Sequence, residues 1–197
     1  SVSLIQTHPK SRKPIITFVR YFNWSICFEY INRELQRKGQ VFFLHNDIKT
    51  LNIYKSKIEN QFPKYNIEAI HGKQPTKDIE RIILAFFNGL VDVLVCTTII
   101  ESGLDIPNAN CIIINNAQNF GLSQLYQIRG RVGRSDQQAY CLLFIPKLKL
   151  THEAKSRLKS LEKLISGLIL LSLAIISKYS CLECFLFMFL RNLESLG

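Results

Sequence analysis

The chain has 197 residues and a mass of 22.7 kDa, of which 47% are apolar and 20% charged. This allows one ordinary domain with an appendage, and it excludes two full enzyme domains, wholesale disorder and a disulfide-only scaffold. The 25 Lys and Arg against 15 Asp and Glu give a formal charge of +10, which favours a polyanionic partner such as nucleic acid or nucleotide.

Short apolar runs with little alternation predict strands that are buried on both faces of a parallel sheet. In chain order they are Ile15 to Val19, Val41 to His45, Ile67 to His71, Asp92 to Cys96, Cys111 to Asn115 and Tyr140 to Ile145. Between them, Asp47 is expected to cap a helix through Phe62, and Thr76 a helix through Phe87. The repeated order of strand, helix and strand predicts an α/β fold, a three-layer parallel sheet with helices on both faces.

The last part of the chain has a different composition. Residues 165–197 hold Lys178 and Arg191 against Glu183 and Glu194, a net charge of zero, so the whole +10 lies in residues 1–164. We therefore predict a leading segment and first helix over 1–38, a lobe over 39–164 and a divergent apolar tail over 165–197. The run Leu164 to Ser177 is shorter than the about 20 residues of a spanning helix, which favours a buried helix over the alternative of a membrane anchor.

The cysteines indicate a reducing compartment. Most are single residues inside apolar runs, where a thiol behaves as a small hydrophobe, so we expect a cytoplasmic protein. The pair Cys181 and Cys184 has metal-ligand spacing but no second pair and no nearby His, so we expect no metal site. Ser1 to Ile16 contains Lys10, Arg12 and Lys13 and resembles no signal peptide.

Ligands of such sheets bind beyond the carboxyl ends of the strands, and one strand end is rich in polar residues. Thr97 and Thr98 supply two hydroxyls, and Gly103 allows close approach of the backbone to a ligand. Asp105 could accept a hydrogen bond from a ribose or a metal-bound water. The alternative is a Thr-capped short helix closed by a glycine turn, and the residues alone leave both open.

A second segment, Gln124 to Arg134, combines three arginines with Gly130 and Gly133. We place it on the same ligand side of the sheet, where small neighbours would let the guanidinium groups reach a triphosphate. Arginine suits this role because its planar fork binds phosphate oxygens bidentately and stays charged. The alternative is a solvated basic turn, which has no evident need for two glycines.

Together the two segments resemble motifs V and VI of superfamily 2 helicases, in the branch that contains RecG and Mfd, the bacterial transcription-repair coupling factor. The resemblance is carried by two stretches, Thr-Thr-Ile-Ile-Glu-Ser-Gly-Leu-Asp-Ile-Pro and Gln-Leu-Tyr-Gln-Ile-Arg-Gly-Arg-Val-Gly-Arg. The opening, with Thr7-x-Pro9, Arg12 to Arg20 and Gly39 to Asp47, resembles the second motor lobe of the Mfd family. The resemblance spans roughly Leu4 to Leu164 and implies a RecA-like helicase C-terminal lobe.

The resemblance implies a nucleotide site shared with another lobe. Arg131 and Arg134 match the motif VI arginines that reach the ATP γ-phosphate, and Gln127 matches the glutamine that couples the nucleotide to the lobe interface. These three are the implied catalytic residues. Gly103 and Asp105 match the motif V positions beside the ribose and γ-phosphate, so they join the two arginines as implied ATP-binding residues.

The resemblance also implies contacts with double-stranded DNA. Thr97 and Thr98 match hydroxyls near the nucleic-acid backbone. Asn46 and the pair His71 and Gly72 are weaker matches, for which a strand-end turn is the alternative. RNA polymerase and excision-repair proteins are further partners that the family resemblance implies.

The sequence lacks parts of a complete motor. It contains no Gly-x-x-x-x-Gly-Lys-Ser/Thr loop and no Asp-Glu-x-x box, which would hold the phosphates and Mg²⁺. We therefore expect an N-terminal helicase lobe as partner, which holds the Mg²⁺ of the ATP, and no hydrolysis by this chain alone. The alternatives are a RecG-type branch-migration lobe and a non-catalytic basic DNA-binding module. The tail departs from the family pattern, which suggests a frameshifted or truncated gene.

Overall fold

The computed structural model describes residues 13, 15–97, 109–133, 137–147 and 156. The chain divides into two compact units, residues 1–158 and 159–197, and the described residues all belong to the first. The predicted apolar tail therefore lies outside the described residues.

The first unit is built on one parallel six-stranded sheet, which confirms the predicted architecture. Its spatial order is β1-β6-β5-β2-β4-β3, and every ladder is parallel. The six predicted strands are all present, and no end differs from its prediction by more than two residues. They are β1 (Ile16–Tyr21), β2 (Gln40–His45), β3 (Ile67–Ile70), β4 (Val93–Cys96), β5 (Ala109–Asn115) and β6 (Tyr140–Ile145).

Four α-helices connect the described strands: α1 (Trp24–Gln36), α2 (Ile48–Gln61), α3 (Thr76–Phe87) and α4 (Leu122–Arg129). Asp47 caps α2 as predicted, because its carboxylate accepts a hydrogen bond from Lys49 N at 3.0 Å. The prediction that Thr76 caps α3 is wrong. The extended Pro75 holds that position, and its carbonyl receives the first amides of the helix, so Thr76 is already helical.

The helices cover both faces of the sheet. On one face, Phe43 and Ile113 pack in a single core with Ile31 of α1 and Leu51 of α2. On the other face, the ring of Phe42 lies 6.2 Å from that of Phe86 in α3, and Leu125 and Ile128 of α4 are buried. Strands buried from both sides account for the continuous apolar runs.

The described cysteines are part of this core. Cys27, Cys96, Cys111 and Cys141 are free and buried, and burial raises the pKa of each thiol, that of Cys141 to about 12. Thiols with such pKa values remain protonated near neutral pH and pack as small apolar groups. Among the described residues, no helix has both the length and the apolar character needed to cross a membrane.

Candidate functional site

The sheet has two chemically different edges. Because all its strands are parallel, one edge carries every amino end and the other every carboxyl end, and we call them the amino edge and the carboxyl edge. The seven residues of β5 separate the two edges by about 20 Å. A residue at one edge therefore cannot contact a ligand atom held at the other.

Three of the implied DNA-binding positions lie at the carboxyl edge. Asn46 directly follows β2, His71 follows β3 and Thr97 follows β4. These strands are neighbours in the order β2-β4-β3, so the three positions span about 10 Å of the edge. Asn46 is exposed and His71 half-buried, whereas Thr97 is buried with its amide bonded to Ile70 O at 3.2 Å.

His71 and Gly72 belong to a tight turn between β3 and α3. The amide of His71 donates to Gln74 Oε1 at 2.9 Å, and His71 Nδ1 accepts from Lys73 N at 3.3 Å. Gln74 Nε2 also donates to Ala69 O at 3.4 Å, which ties the turn to the end of β3. The turn thus fixes the His71 ring and leaves Gly72 and Lys73 exposed beside it.

The centre of the carboxyl edge holds a polar pair that the sequence reasoning missed. β2 and β5 are neighbours in the sheet. The chain continues from β2 to β3 in one direction along the strand order and from β5 to β6 in the opposite direction, so the gap between β2 and β5 is a topological switch point, where α/β sheets bind ligands. His45 and Asn115, the last residues of these strands, are register partners, and the imidazole Nδ1 lies 3.0 Å from Asn115 Nδ2. The sequence contained one signal of this pair, because both of these apolar strands end in a polar residue.

The arginine segment lies at the opposite edge. Gly133 N donates to Ala109 O at the start of β5, at 3.3 Å. A Cβ at Gly133 would lie 2.9 Å from Ala139 Cβ and 3.1 Å from Ile15 Cγ1, residues that precede β6 and β1. The expectation that this segment shares the carboxyl-edge ligand side is therefore wrong, because α4 carries the chain back across the sheet to the amino edge.

Arg129 and Arg131 have different surroundings. The Arg129 guanidinium donates to Thr17 Oγ1 at 3.2 Å and to Ile15 O at 3.4 Å, so it joins α4 to β1. Arg131 is half-buried, and within the described part of the chain no acceptor is paired with its guanidinium. Arg129 is thus a packing residue, and Arg131 differs from it.

The two glycines of the segment also differ. Gly133 has a φ of +80° and close neighbours on two sides, so only glycine fits without strain. Gly130 has an ordinary helical φ of −67°, and a Cβ there would lie 3.4 Å from its nearest neighbour atom, an ordinary contact. The backbone conformation therefore requires glycine at Gly133 and not at Gly130.

A buried ion pair occupies the same amino edge. Glu34 of α1 is only 1% exposed, and its carboxylate pairs with Arg37, whose guanidinium also donates to Gln138 O at 2.7 Å. Desolvation raises the pKa of Glu34, and the hydrogen bond and charge of Arg37 act in the opposite direction. Gly39 leaves room for this carboxylate, because a Cβ there would lie 1.8 Å from Glu34 Oε1. The pair fastens α1 to the loop before β6.

Several implied site residues lie outside the described ranges, namely Thr98, Gly103, Asp105 and Arg134. Gln127 is described and is exposed on α4. Asp105 precedes Ala109 by four residues in the sequence, and Ala109 O is the acceptor of the Gly133 amide. The roles of all these residues stay predictions.

The amino edge holds an arginine beside a turn that only glycine forms without strain. Arg131 lies two residues before Gly133, and a guanidinium is a group that binds phosphate oxygens well. Within the ranges that the structure describes, no three His, Cys, Asp or Glu side chains come together as metal ligands.

The comparisons with known proteins identify the family of this chain. The model of the helicase conserved C-terminal domain matches residues 24–136. The chain is 44% identical over 166 residues to the transcription-repair-coupling factor of Buchnera aphidicola, covering 84% of this chain and 24% of that protein. It is 45% identical over 163 residues to that of Helicobacter pylori strain J99, covering 82% and 16%. The chain therefore spans a quarter or less of the length of these relatives.

Solved structures show the same fold. A structure of RecG bound to a three-way DNA junction is 34% identical with a TM-score of 0.68, and the match covers 79% of this chain and 21% of that one. S. cerevisiae Dbp5 bound to RNA and ADP BeF3 is 20% identical with a TM-score of 0.57, covering 76% of this chain and 39% of that one, a likeness of fold alone. The chain belongs to the family of the helicase conserved C-terminal domain, as a lobe similar to that of transcription-repair-coupling factors and related to RecG.

Proposed function

We propose that this chain is the C-terminal motor lobe of an ATP-dependent double-stranded DNA translocase of transcription-coupled repair. It completes an ATP site with an N-terminal helicase lobe and contacts DNA phosphates. The similarity to transcription-repair-coupling factors at 44–45% identity supports the assignment to transcription-coupled repair. We also propose that the lobe acts in the cytoplasm and that its protein partners include RNA polymerase and excision-repair proteins.

One observation carries the proposal: the candidate residues divide between two edges about 20 Å apart. Asn46, His71 and Thr97 lie at the carboxyl edge, and Arg131 lies beyond the amino end of β5. A motor lobe needs such separation, because the nucleotide and the DNA must be bound at once without competing for one surface. A generic basic binding module has no such requirement.

The carboxyl edge suits a nucleic-acid backbone. Its three positions span about 10 Å, a length over which one DNA strand carries about three phosphates. Amide, hydroxyl and imidazole groups and backbone amides are common phosphate ligands that read no sequence. We therefore propose DNA contacts by Asn46, Thr97, Thr98, His71 and Gly72 that fix the register of the lobe on the duplex.

The amino edge supplies the arginine part of the nucleotide site. Hydrolysis of the γ-phosphate of bound ATP, with Mg²⁺ held by the other lobe, supplies the free energy of movement. Arg131, with Arg134 in the same role, neutralises charge that develops on the phosphoryl oxygens. Gln127, Gly103 and Asp105 complete this proposed set. The isolated chain is proposed to be inactive, because it brings no group for the Mg²⁺ or the attacking water.

Binding to a labelled DNA duplex of fixed length at several salt concentrations tests the DNA part. We expect weak, sequence-independent binding whose affinity falls steeply with rising salt, because the lysines and arginines of a chain with a formal charge of +10 neutralise DNA phosphates and release their counterions. Asn46→Asp should weaken binding because it places a carboxylate at the carboxyl edge. Asn60→Asp, the same change at the exposed far end of α2, should have little effect. Equal losses in both variants would mean that only net charge matters.

RecG-type branch migration is the second candidate, because the RecG structure matches 79% of this chain at 34% identity. Affinity for a three-way DNA junction, measured against a linear duplex of equal length, separates the two. A translocase lobe should bind both equally, whereas a marked preference for the junction would favour the RecG-type function.

A further inference from the structure

The carboxyl edge contains a chain of hydrogen bonds that begins at Asn115 and ends at Asp47. His45 lies in the middle, with Nδ1 3.0 Å from Asn115 Nδ2 and Nε2 2.7 Å from Thr50 Oγ1. Thr50 Oγ1 lies 2.8 Å from Asp47 Oδ2. The chain links the end of β5, the end of β2 and the first turn of α2.

The direction of every bond in this chain is fixed by its ends. Asn115 Oδ1 accepts from the amide of Asn116 at 3.0 Å, so Asn115 Nδ2 is the group that donates to His45. The imidazole Nδ1 must then accept, and the proton of the neutral ring is on Nε2. His45 Nε2 donates to Thr50, and the Thr50 hydroxyl donates to the Asp47 carboxylate, which can only accept.

The surroundings of His45 agree with a neutral ring. Its side chain is 2% exposed, and its ring stacks on Tyr54 of α2 with centroids 4.1 Å apart. Burial lowers the pKa of His45, and the charge of Asp47 acts weakly in the opposite direction. Asp47 and the Tyr54 hydroxyl are the titratable groups that face the ring from the neighbouring elements.

We propose that His45 and Asn115 are positioning residues that hold the turn between β2 and α2 in place for a DNA phosphate. Asn46, the exposed residue of that turn, stands between His45 and Asp47, and both of these are members of the hydrogen-bonded chain. An ordered Asn46 loses less conformational entropy when it binds. The inference rests on the proposed function and adds to it the residues that preorganise the DNA contact.

A purely structural role would not need this chain. The sheet face around His45 is otherwise apolar, with Phe43 and Ile113 completely buried beside it, and an apolar ring could fill the same space. Instead, the chain of hydrogen bonds runs from the buried Asn115 and His45 to Asp47, which is exposed. The arrangement fixes one conformation of an exposed turn at the switch point.

DNA affinity measures the positioning role directly. In the full chain, Asn115→Ala and His45→Phe should weaken binding to a labelled duplex about threefold to tenfold, the net effect of one typical hydrogen bond. His45→Phe keeps an aromatic ring against Tyr54, and urea unfolding of both variants should show that they remain folded. Asn60→Ala is the matched control and should bind like the unsubstituted chain.

Nitrogen NMR of labelled histidines provides a second readout that packing alone would not change. His45, identified by the signals absent from His45→Phe, should show a proton on Nε2, none on Nδ1 and a pKa below the ordinary 6.5. In Asn115→Asp, a carboxylate faces Nδ1 and should raise that pKa above 6.5 because it favours the imidazolium. A proton on Nδ1 in the unsubstituted chain, or an unchanged pKa in Asn115→Asp, would overturn the assignment.

The two hypotheses fail separately. If the unsubstituted chain shows no salt-dependent binding to duplex DNA, the proposed function is wrong and the positioning role falls with it. If that chain binds and Asn115→Ala and His45→Phe bind equally well, only the positioning role is wrong.

Discussion

The two edges of the sheet are held by different kinds of contact. At the amino edge, backbone conformation and close packing dominate: Gly133 has a positive φ against Ile15 and Ala139, and Gly39 makes room for the buried Glu34. At the carboxyl edge, side-chain hydrogen bonds between His45 and its partners fix the turns. The amino edge thus needs glycines that leave room for packed groups, beside the ion pair of Glu34 and Arg37, whereas the carboxyl edge is held by polar side chains alone among the contacts compared.

We expect this difference to separate stability from function. Substitutions that crowd the close contacts of the amino edge should lower the stability of the lobe, and substitutions that remove polar atoms at the carboxyl edge should leave it folded and impair ligand binding. Arg131 is the exception at the amino edge, because its guanidinium has no partner in the described part of the chain. The predictions below test this division, beginning with the largest expected effect.

Arg131→Ala should reduce ATP turnover about a thousandfold when a fragment that carries the phosphate loop of a similar coupling factor is supplied, a barrier increase of about 4 kcal/mol. An arginine of this kind acts on charge that develops in the transition state, so ATP affinity should change little. Phosphate release by the mixture measures turnover, and urea unfolding measures stability.

Arg81→Ala is the matched control, since Arg81 is exposed on α3. It should leave both turnover and stability unchanged. If Arg131→Ala unfolds the lobe or leaves turnover intact, Arg131 is a packing or DNA-binding residue, and the amino edge loses its proposed role.

Gly133→Ala should lower the free energy of unfolding by about 3 kcal/mol. A Cβ at this position meets Ala139 at 2.9 Å, and the φ of +80° adds strain. Gly130→Ala should be neutral or stabilise by up to about 1 kcal/mol, because Gly130 is helical and its nearest contact is ordinary. Urea unfolding of the full chain compares the two. Equal losses would show that the segment tolerates no side chain anywhere.

Much of the fold could be predicted from sequence, for a physical reason. Strands buried on both faces must be apolar throughout, so Asp92 to Cys96 and Cys111 to Asn115 were visible as runs. The cap at Asp47 was also visible, because a carboxylate before a helix has one common use. Thr76 was misassigned because the extended backbone of Pro75 decides where α3 begins, and a side-chain preference cannot override it.

The sites were harder to predict, because they depend on which edge a segment reaches. Three arginines close together in sequence predict one phosphate-binding set, yet the Arg129 guanidinium donates to Thr17, a contact that the half-buried Arg131 does not share. His45 and Asn115 are 70 residues apart, and only the strand order places them side by side. Local patterns therefore identified the chemistry of the residues, and the topology decided which of them meet.

The stability of the unsubstituted chain should fall as the pH is lowered through the window just below 6.5. His45 is kept neutral by burial, with its pKa below the ordinary value, while the unfolded chain takes up a proton at about pH 6.5. The unfolded state therefore binds more protons there, and folding is favoured at higher pH. His45→Phe lacks this titration, so its unfolding free energy should respond less between about pH 7.5 and pH 5.5.

The comparison of these two proteins removes other contributions to the pH response. Glu34, whose raised pKa makes folding less favourable as the pH rises above its ordinary value of 4.5, is present in both. Its effect cancels in the difference between their unfolding free energies. A difference that stays constant with pH would show that His45 has the same pKa in the folded and unfolded chain.

The smallest expected effect concerns the turns that lead into the strands at the amino edge. Lys38, just before β2, has a φ of 60°, a conformation that costs a residue with a Cβ about 1 kcal/mol. Lys38→Gly removes this strain but also makes the unfolded chain more flexible, so we expect a net gain in unfolding free energy of about 0.5 kcal/mol.

Gly89, just before β4, provides the converse substitution. Its φ is 73° and a Cβ there would meet no atom within 4 Å, so Gly89→Ala tests backbone strain without a packing clash and should destabilise by about 1 kcal/mol. Urea unfolding of both variants gives the two signs. If Lys38→Gly destabilises the chain while Gly89→Ala does not, left-handed backbone conformation does not lower the stability of the amino edge. The loss of unfolding free energy in Gly133→Ala must then come from its close contacts with Ile15 and Ala139 alone.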